Sequence, residues 1–306
     1  MRIRFALAGL VAALAAAGAV QAQDFKPRIV RFGYGLVDNS NQGRAVRVFA
    51  EAVEKATGGK MKIRGIGNAS LGSDTQMQQA LIGGAQEMMV GSTATLVGIV
   101  PEMAVWDTPF LFSNVKEADA VLDGPVGEKV KAKLEPKGMV GLVYWENGFR
   151  NLTNSKRPVT RLEDIAGLKI RVIQSPLYID LFNALGATAT PMPFPELYSA
   201  LDQKAVDGQE NPNSTILASK FNEVQKHLAL THHIYNPQAL LVGRKLWDAR
   251  SADEKKMFQD AAAEATRYQR EVSRGQAEQA LDTLRKSGMQ VTEFSPAEMN
   301  RLREKV

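Results

Sequence analysis

The sequence predicts an α/β protein built as two lobes. Three observations carry this. Strand-like and helix-like segments alternate from residue 28 onward, the grammar of a mostly parallel sheet covered by helices. The chain has 306 residues, more than one compact core usually fills. Near the C-terminus an uninterrupted helical pattern of about 36 residues would be roughly 54 Å long, longer than one small domain is wide.

The elements follow in order. Arg2 and Arg4, the alanine-rich run 5–20 and Val20-Gln21-Ala22 read as a cleavable secretory signal over residues 1–22, with Gln23 opening the mature chain. The run is short and weakly apolar for a membrane span. Residues 28–34 read as a strand, and 35–43 as a polar loop. Val46, Phe49, Ala50 and Val53 recur at helical spacing, stopped by Gly58-Gly59. Met61 and Ile63 alternate with lysines and arginine in a half-buried strand at 60–66. Ser73 or Asp74 caps a helix with Met77, Ala80 and Leu81 inside, and 87–90 is a short strand opening onto Gly91-Ser92-Thr93. A strand at 140–144 is followed by a second segment at 150–153. A helical turn falls at 162–165, a strand at 168–172, a helix from Ser175 to Leu185, a helical segment at 194–203 and a strand at 206–209. Ser251 and Glu254 form a capping box that starts the long helix, and Gly288 stops it. A break near Gly275 is the alternative to one continuous rod.

Composition narrows the function. There are no cysteines, which removes disulfides and thiol chemistry. The formal charge is +5, or +3 once Arg2 and Arg4 leave with the signal. That dispersed balance suits a small anion and argues against nucleic acid. No segment after the signal is long and apolar enough to cross a bilayer, so the expected product is soluble and exported.

The chemistry concentrates between Trp145 and Pro212. Arg150 and Arg171 sit at strand ends, and no nucleophile elbow, metal-ligand cluster or phosphate loop accompanies them. A guanidinium stays charged and presents paired donors that match a carboxylate. Two such groups without reactive partners point to a site that holds an anion unchanged. Lys169 and Arg171 share a pleat face, so which of them turns inward stays open. Asn211 reads equally as a polar ligand contact or a turn residue, and Phe194 as a ligand wall or a core side chain. Asp202, Asp207 and Glu210 are accounted for by capping and solvation. His227, His232 and His233 read as structural or exposed, with no metal.

Four stretches, Leu71-Gly-Ser-Asp74, Pro109-Phe-Leu-Phe112, Gly167-Leu-Lys-Ile-Arg-Val172 and Ala205-Val-Asp-Gly-Gln-Glu-Asn-Pro212, resemble the solute-binding subunit of tripartite ATP-independent periplasmic (TRAP) transporters of the DctP type. The resemblance covers the whole mature chain. It implies the periplasmic-binding-protein fold: two hinged α/β lobes, strands crossing between them, and a long C-terminal helix spanning both. The implied division is 23–147 with about 236–276 in lobe I, and 148–235 with about 277–306 in lobe II. It gives Arg171 the carboxylate, Arg150 a supporting part, Asn211 a third polar contact and Phe194 the wall. Lobe I contacts fall on Gly35, Asp74, Ser92 and Thr93. Sialic-acid-binding members carry an acid at the place of Ser92 and an asparagine near Gly35, which argues against a sialate here. Hydroxyl contacts then fall to Trp145, Glu146, Asn147 and Asn236.

The expected protein is a non-catalytic periplasmic monomer without cofactor. It captures a sugar acid such as a uronate, or a C4-dicarboxylate or keto acid, and delivers it to TRAP membrane subunits. A ligand-sensing module for a signalling receptor and a periplasmic enzyme acting on an organic acid are the alternatives.

Overall fold

The structure, a computed structural model, describes residues 25–306; the expected signal segment lies outside the described residues. The first sheet draws on β1 (Arg28–Tyr34), β2 (Met61–Ile66), β3 (Met88–Ser92), β4 (Met139–Phe149) and, much later, β10 (Tyr235–Gly243). Helices α1 (Asn41–Ala56), α2 (Asp74–Gly83), α3 (Val115–Leu122) and α4 (Pro125–Lys131) lie between its early strands. The second sheet draws on β5 (Asn151–Asn154), β6 (Lys169–Val172), β7 (Thr188–Pro191), β8 (Gly208–Asn211), β9 (His227–Leu230) and β11 (Gln290–Glu293). Between its strands run α5 (Pro176–Ala184), α6 (Leu197–Asp202) and α7 (Asn213–Ala218). After β10 come α8 (Arg244–Asp248), α9 (Ala252–Lys286) and, last, α10 (Pro296–Lys305).

Strand order is β2-β1-β3-β10-β4 in the first sheet and β11-β9-β5-β8-β6-β7 in the second. The early strands pair parallel, as the strand–helix alternation predicts. Both sheets are mixed, however, because β10 runs antiparallel to β3 and β4, and β5 antiparallel to β8 and β9. These antiparallel strands carry the chain between lobes. β4 leaves the first sheet at Phe149, and β5 enters the second at Asn151. β9 leaves the second at Leu230, and β10 returns to the first at Tyr235. Gly148 holds φ at +120°, a backbone state that favours glycine, at the first of these crossings.

Each sheet buries both faces. Alternate β10 residues divide between them: Leu240 and Val242 join Phe32, Phe49 and Phe258 on one side, while Ala239 and Leu241 join Met77, Leu96 and Trp106 on the other. In the second lobe Ile170 and Val172 pack with Phe182, and Leu228 with Leu197 and Phe221.

The C-terminal rod is one helix of 35 residues, about 52 Å long. Ser251 and Glu254 form the reciprocal capping box, and Gly275 does not break it. Its N-terminal half gives Met257, Phe258, Ala261 and Ala265 to the first lobe's core, while Leu284 packs in the second. The helical spacing of Met257, Ala261 and Ala265 predicts that Tyr268 and Val272 continue the stripe, but Gln269 and Ser273 are the buried residues there. The reason is β4, an edge strand whose Glu146 amide would otherwise be unpaired. Gln269 stands in for a neighbouring strand: its Oε1 accepts from Glu146 N at 2.8 Å and its Nε2 donates to Glu146 O at 2.7 Å. No helix among the described residues is long and apolar enough to cross a membrane.

Candidate functional site

A cleft opens where the carboxyl ends of strands from both sheets meet, the place an open α/β sheet binds ligands. Lobe I contributes Gly35, Asp74, Ser92, Asn147 and Gln238 to its walls. Lobe II contributes Arg150, Arg171, Phe194, Asn211 and Thr215.

Arg171 is the cation of this cleft. It is buried at 3 % exposure, while Lys169, on the same pleat face, is exposed. Its Nε and Nη2 donate to the Met192 carbonyl at 2.9 and 2.6 Å, which fixes the guanidinium plane. No carboxylate of the described residues lies within the 4.0 Å of an ion pair. Burial pulls its pKa down to about 10, so it stays protonated at neutral pH.

Arg150 is spent differently. It is fully buried and grips Glu210 through Nε to Oε2 and through Nη2 to Oε1 at 2.8 Å. Nη2 also donates to the Glu210 carbonyl at 2.5 Å. His233 Nε2 sits 3.2 Å from Glu210 Oε2, and the Tyr178 ring lies 5.5 Å from the guanidinium. Glu210 is therefore a buried counter-ion and not the solvated acid expected from its loose grouping with Asp202 and Asp207. Burial pushes its carboxyl up, but the Arg150 charge and the His233 bond more than offset that, and the net shift is downward.

Around these charges lies a polar lattice. Asn236 Oδ1 accepts from Ser92 Oγ at 3.1 Å, Asn147 Nδ2 at 3.0 Å and Arg150 Nη1 at 3.4 Å. Thr215 Oγ1, from lobe II, donates to Asn147 Oδ1 at 3.2 Å. Asn211 Nδ2 donates to Gln209 Oε1 at 2.6 Å. Opposite Arg171, Asp74 Oδ2 accepts from the Ser92 amide at 2.9 Å. A Cβ on Gly91 would meet the Asp74 carboxylate at 2.7 Å, so glycine there lets the acid lie against β3. Burial raises the Asp74 carboxyl to about 6, with Ser92 and Arg171 opposing the rise. Phe194 lines the cleft and also packs on Phe221, at 6.0 Å between centroids.

Of the eleven residues expected to touch a ligand, Arg171, Arg150, Asn211, Phe194, Asp74, Gly35, Ser92 and Asn147 line the cleft. Thr93, Glu146 and Asn236 do not. Strand alternation is the cause for Glu146: with Asn147 facing in, it faces out, where its Oε2 meets Arg274 Nε at 2.9 Å and Tyr235 Oη at 3.3 Å. Trp145 sits in the lobe I core instead and donates from Nε1 to Thr266 Oγ1. Thr93 turns from the cleft to the Pro237 carbonyl at 3.1 Å. Asn236 lies behind the wall as the shared acceptor for Ser92, Asn147 and Arg150. The sequence reading missed Gln238, Thr215 and Gln42, which also line the cleft. Gln238 lies on β10, whose continuous apolar run 239–242 was the available signal.

One buried acid, Asp107, holds its proton well above the usual carboxylate range. Asp107, fully buried, accepts from Ser175 Oγ at 2.9 Å, and burial raises its carboxyl to about 7. Between about pH 4, where an unfolded aspartate titrates, and about pH 7, the folded state holds the extra proton. Its contribution to stability is thus full below pH 4 and lost as pH rises toward 7. Asp107→Asn is expected to raise the melting temperature at pH 8 by a few degrees and leave it nearly unchanged at pH 4.5. Calorimetric scans across that range check this, and equal gains at both values would contradict it.

The family model for "bacterial extracellular solute-binding protein, family 7" matches residues 32–306. The solved sugar acid binding protein DctPAm from Advenella mimigardefordensis strain DPN7T, in complex with galactonate, is 50% identical with a TM-score of 0.91, over 92% of this chain and 91% of that one. A TRAP periplasmic solute binding protein from Polaromonas sp. JS666, bound to D-erythronate, is 39% identical with a TM-score of 0.87, over 90% and 91%. The 2,3-diketo-L-gulonate-binding periplasmic protein YiaO of Escherichia coli (strain K12) is 36% identical over 262 residues, 86% of this chain and 80% of that protein.

Proposed function

We propose, from the premise that this chain belongs to the family 7 bacterial extracellular solute-binding proteins, that Arg171 receives the carboxylate of a small organic acid anion in the periplasm. The similar proteins bind galactonate, D-erythronate and 2,3-diketo-L-gulonate, all organic acids. The candidates for this chain are a sugar acid such as a uronate, a C4-dicarboxylate or a keto acid. The single observation that carries the reading is the buried Arg171 guanidinium, fixed by the Met192 carbonyl and without an ion-pair partner among the described residues. A ligand carboxylate supplies the missing countercharge through charge-assisted hydrogen bonds, which are strongest where water is excluded.

The cleft draws its walls from both lobes, so a bound anion ties them together. We infer that the lobes, 23–147 with 236–276 and 148–235 with 277–306, close by bending at the β4–β5 and β9–β10 crossings. The closed monomer, exported by its N-terminal signal, then docks on TRAP membrane subunits and releases its cargo unchanged. Arg150, held by Glu210, and Asn211 shape the anion's seat, and Phe194 forms its apolar wall.

A thermal-shift screen of the purified chain against organic acids tests this, since a ligand of the folded state raises the melting point by mass action. Hits are expected among carboxylates only, each recovered chemically intact after incubation. A screen in which neutral sugars or cations stabilise the protein and carboxylates do not, or in which the hit is turned over, would remove the reading.

A further inference from the structure

Asn147 is the one asparagine of the chain that is followed by glycine. That pairing carries its own chemistry. Glycine has no β-carbon to hinder its backbone nitrogen, so the nitrogen can reach the side chain of the asparagine before it. The nitrogen bonds to Cγ, the Cγ–Nδ2 bond breaks, and ammonia leaves. Water then opens the five-membered imide at either carbonyl. The product is aspartate or, with the backbone rerouted through the side chain, isoaspartate.

Where this pair lies gives the chemistry a consequence. Asn147 lines the cleft, and Gly148, with φ at +120°, stands at the β4–β5 crossing where the lobes bend. The pairing of β4 with β10 shifts register beside it, between Asn236 and Pro237. The Asn147 side chain is buried at 6 % exposure and its amide is held at both ends. Nδ2 donates to Asn236 Oδ1 at 3.0 Å, and Oδ1 accepts from Thr215 Oγ1 at 3.2 Å. Asn236 belongs to β10 in lobe I, whereas Thr215 reaches over from α7 in lobe II. Opening the lobes therefore frees Oδ1, bends the backbone at Gly148 and admits water, the three things that cyclisation needs.

We propose that Asn147-Gly148 is a deamidation site guarded by Thr215: closed lobes protect it, open lobes expose it, and its conversion ends anion binding. The proposal rests on the reading of the cleft as a carboxylate receptor that closes on its ligand. The product accounts for the loss. An oxygen in place of Nδ2 cannot donate, and it faces Asn236 Oδ1, an acceptor that Ser92 and Arg150 already share. Its negative charge also opposes that of the ligand. Isoaspartate adds an atom to the backbone of β4 and disturbs its register with β10.

Mass spectrometry of digests tests the site after incubation of the whole protein in warm, mildly alkaline buffer, with D-galactonate as the added carboxylate. Without it, Asn147 is expected to convert before any other asparagine. Thr215→Val removes the hydroxyl and keeps the shape, and should speed conversion about fivefold, the weight of one ordinary hydrogen bond. Galactonate at about a hundred times its Kd should slow the wild type at least about tenfold, because it holds the lobes closed. In calorimetry, folded Asn147→Asp should bind galactonate at least about tenfold more weakly than wild type. Conversion of other asparagines while Asn147 stays an amide overturns the site. Equal rates in wild type and Thr215→Val, or bound galactonate that protects nothing, overturn the guard. Undiminished affinity in Asn147→Asp overturns the consequence. If no organic acid raises the melting point, the receptor reading fails by itself, and the two ligand-free rates still decide the site and its guard.

Discussion

Arg171→Ala is expected to lower ligand affinity by two to four decades while the ligand-free protein melts within a few degrees of wild type. The two halves of that result have one cause. In the free protein the guanidinium is buried with a carbonyl for company and no carboxylate in ion-pair range. Burial pulls its pKa down from the ordinary guanidinium range to about 10, which states that the folded chain pays to keep this charge. Alanine removes the desolvated cation and with it that cost, which offsets the packing lost around the shortened side chain. In the complex the balance reverses. The ligand carboxylate, taken out of water, loses its only free countercharge, and breaking one partner of a buried pair costs on the order of 3–5 kcal/mol, or about two to four decades in affinity. Arg171→Lys retains the charge but not the two-pronged hold on Met192 O, so it should fall between alanine and wild type. Calorimetric titration with the best carboxylate from the screen measures all three. Wild-type affinity in the alanine variant would mean the anion is gripped elsewhere.

How far such a site can be read from sequence depends on whether its signals are local. The long α9 was legible because a capping box, an absence of proline and a terminal glycine all act within a few residues of the helix they define. Arg171 was legible as a candidate through its motif, and it lines the cleft, yet whether it or Lys169 turned inward was not legible, since both share one pleat face. The structure decides this by depth: Arg171 lies at the cleft end of β6, and Lys169 at the exposed start. Three failures share a different root. The expected strand ends at 144, but β4 runs on to Phe149 because β10, some ninety residues later, pairs with it. Glu146 and Asn147 are equally polar neighbours, and only the phase of that strand separates the cleft residue from the one that braces α9. Glu210 reads as a surface acid until Arg150, distant in sequence, is brought against it. In each case the deciding partner is a long-range contact, which no periodicity or capping rule contains.

That Arg150–Glu210 pair carries the second large effect, and on stability instead of binding. Glu210→Gln is expected to destabilise the protein by about 3–5 kcal/mol, because both groups are at most 1 % exposed and the variant leaves a buried guanidinium without its counter-ion. For a chain of this size that lowers the melting temperature by roughly 10 °C. The pair also holds the lobe crossing in place: Arg150 stands between β4 and β5, while Glu210 lies on β8, one residue before Asn211. The exposed Lys256–Asp260 pair on α9 supplies the contrast, as Lys256→Ala should cost no more than about 0.5 kcal/mol. Removing both buried charges together, as Arg150→Met with Glu210→Leu, should recover most of the loss, since an apolar pair of similar volume replaces an ion pair that had to be desolvated. Urea unfolding of the three variants gives the comparison. Were Glu210→Gln to unfold with wild type, another acid must neutralise Arg150. Asp107 is the one placed to do so, because its carboxyl, at about 7, already feels both Arg150 and Glu210 and would ionise more readily once Glu210 no longer repels it.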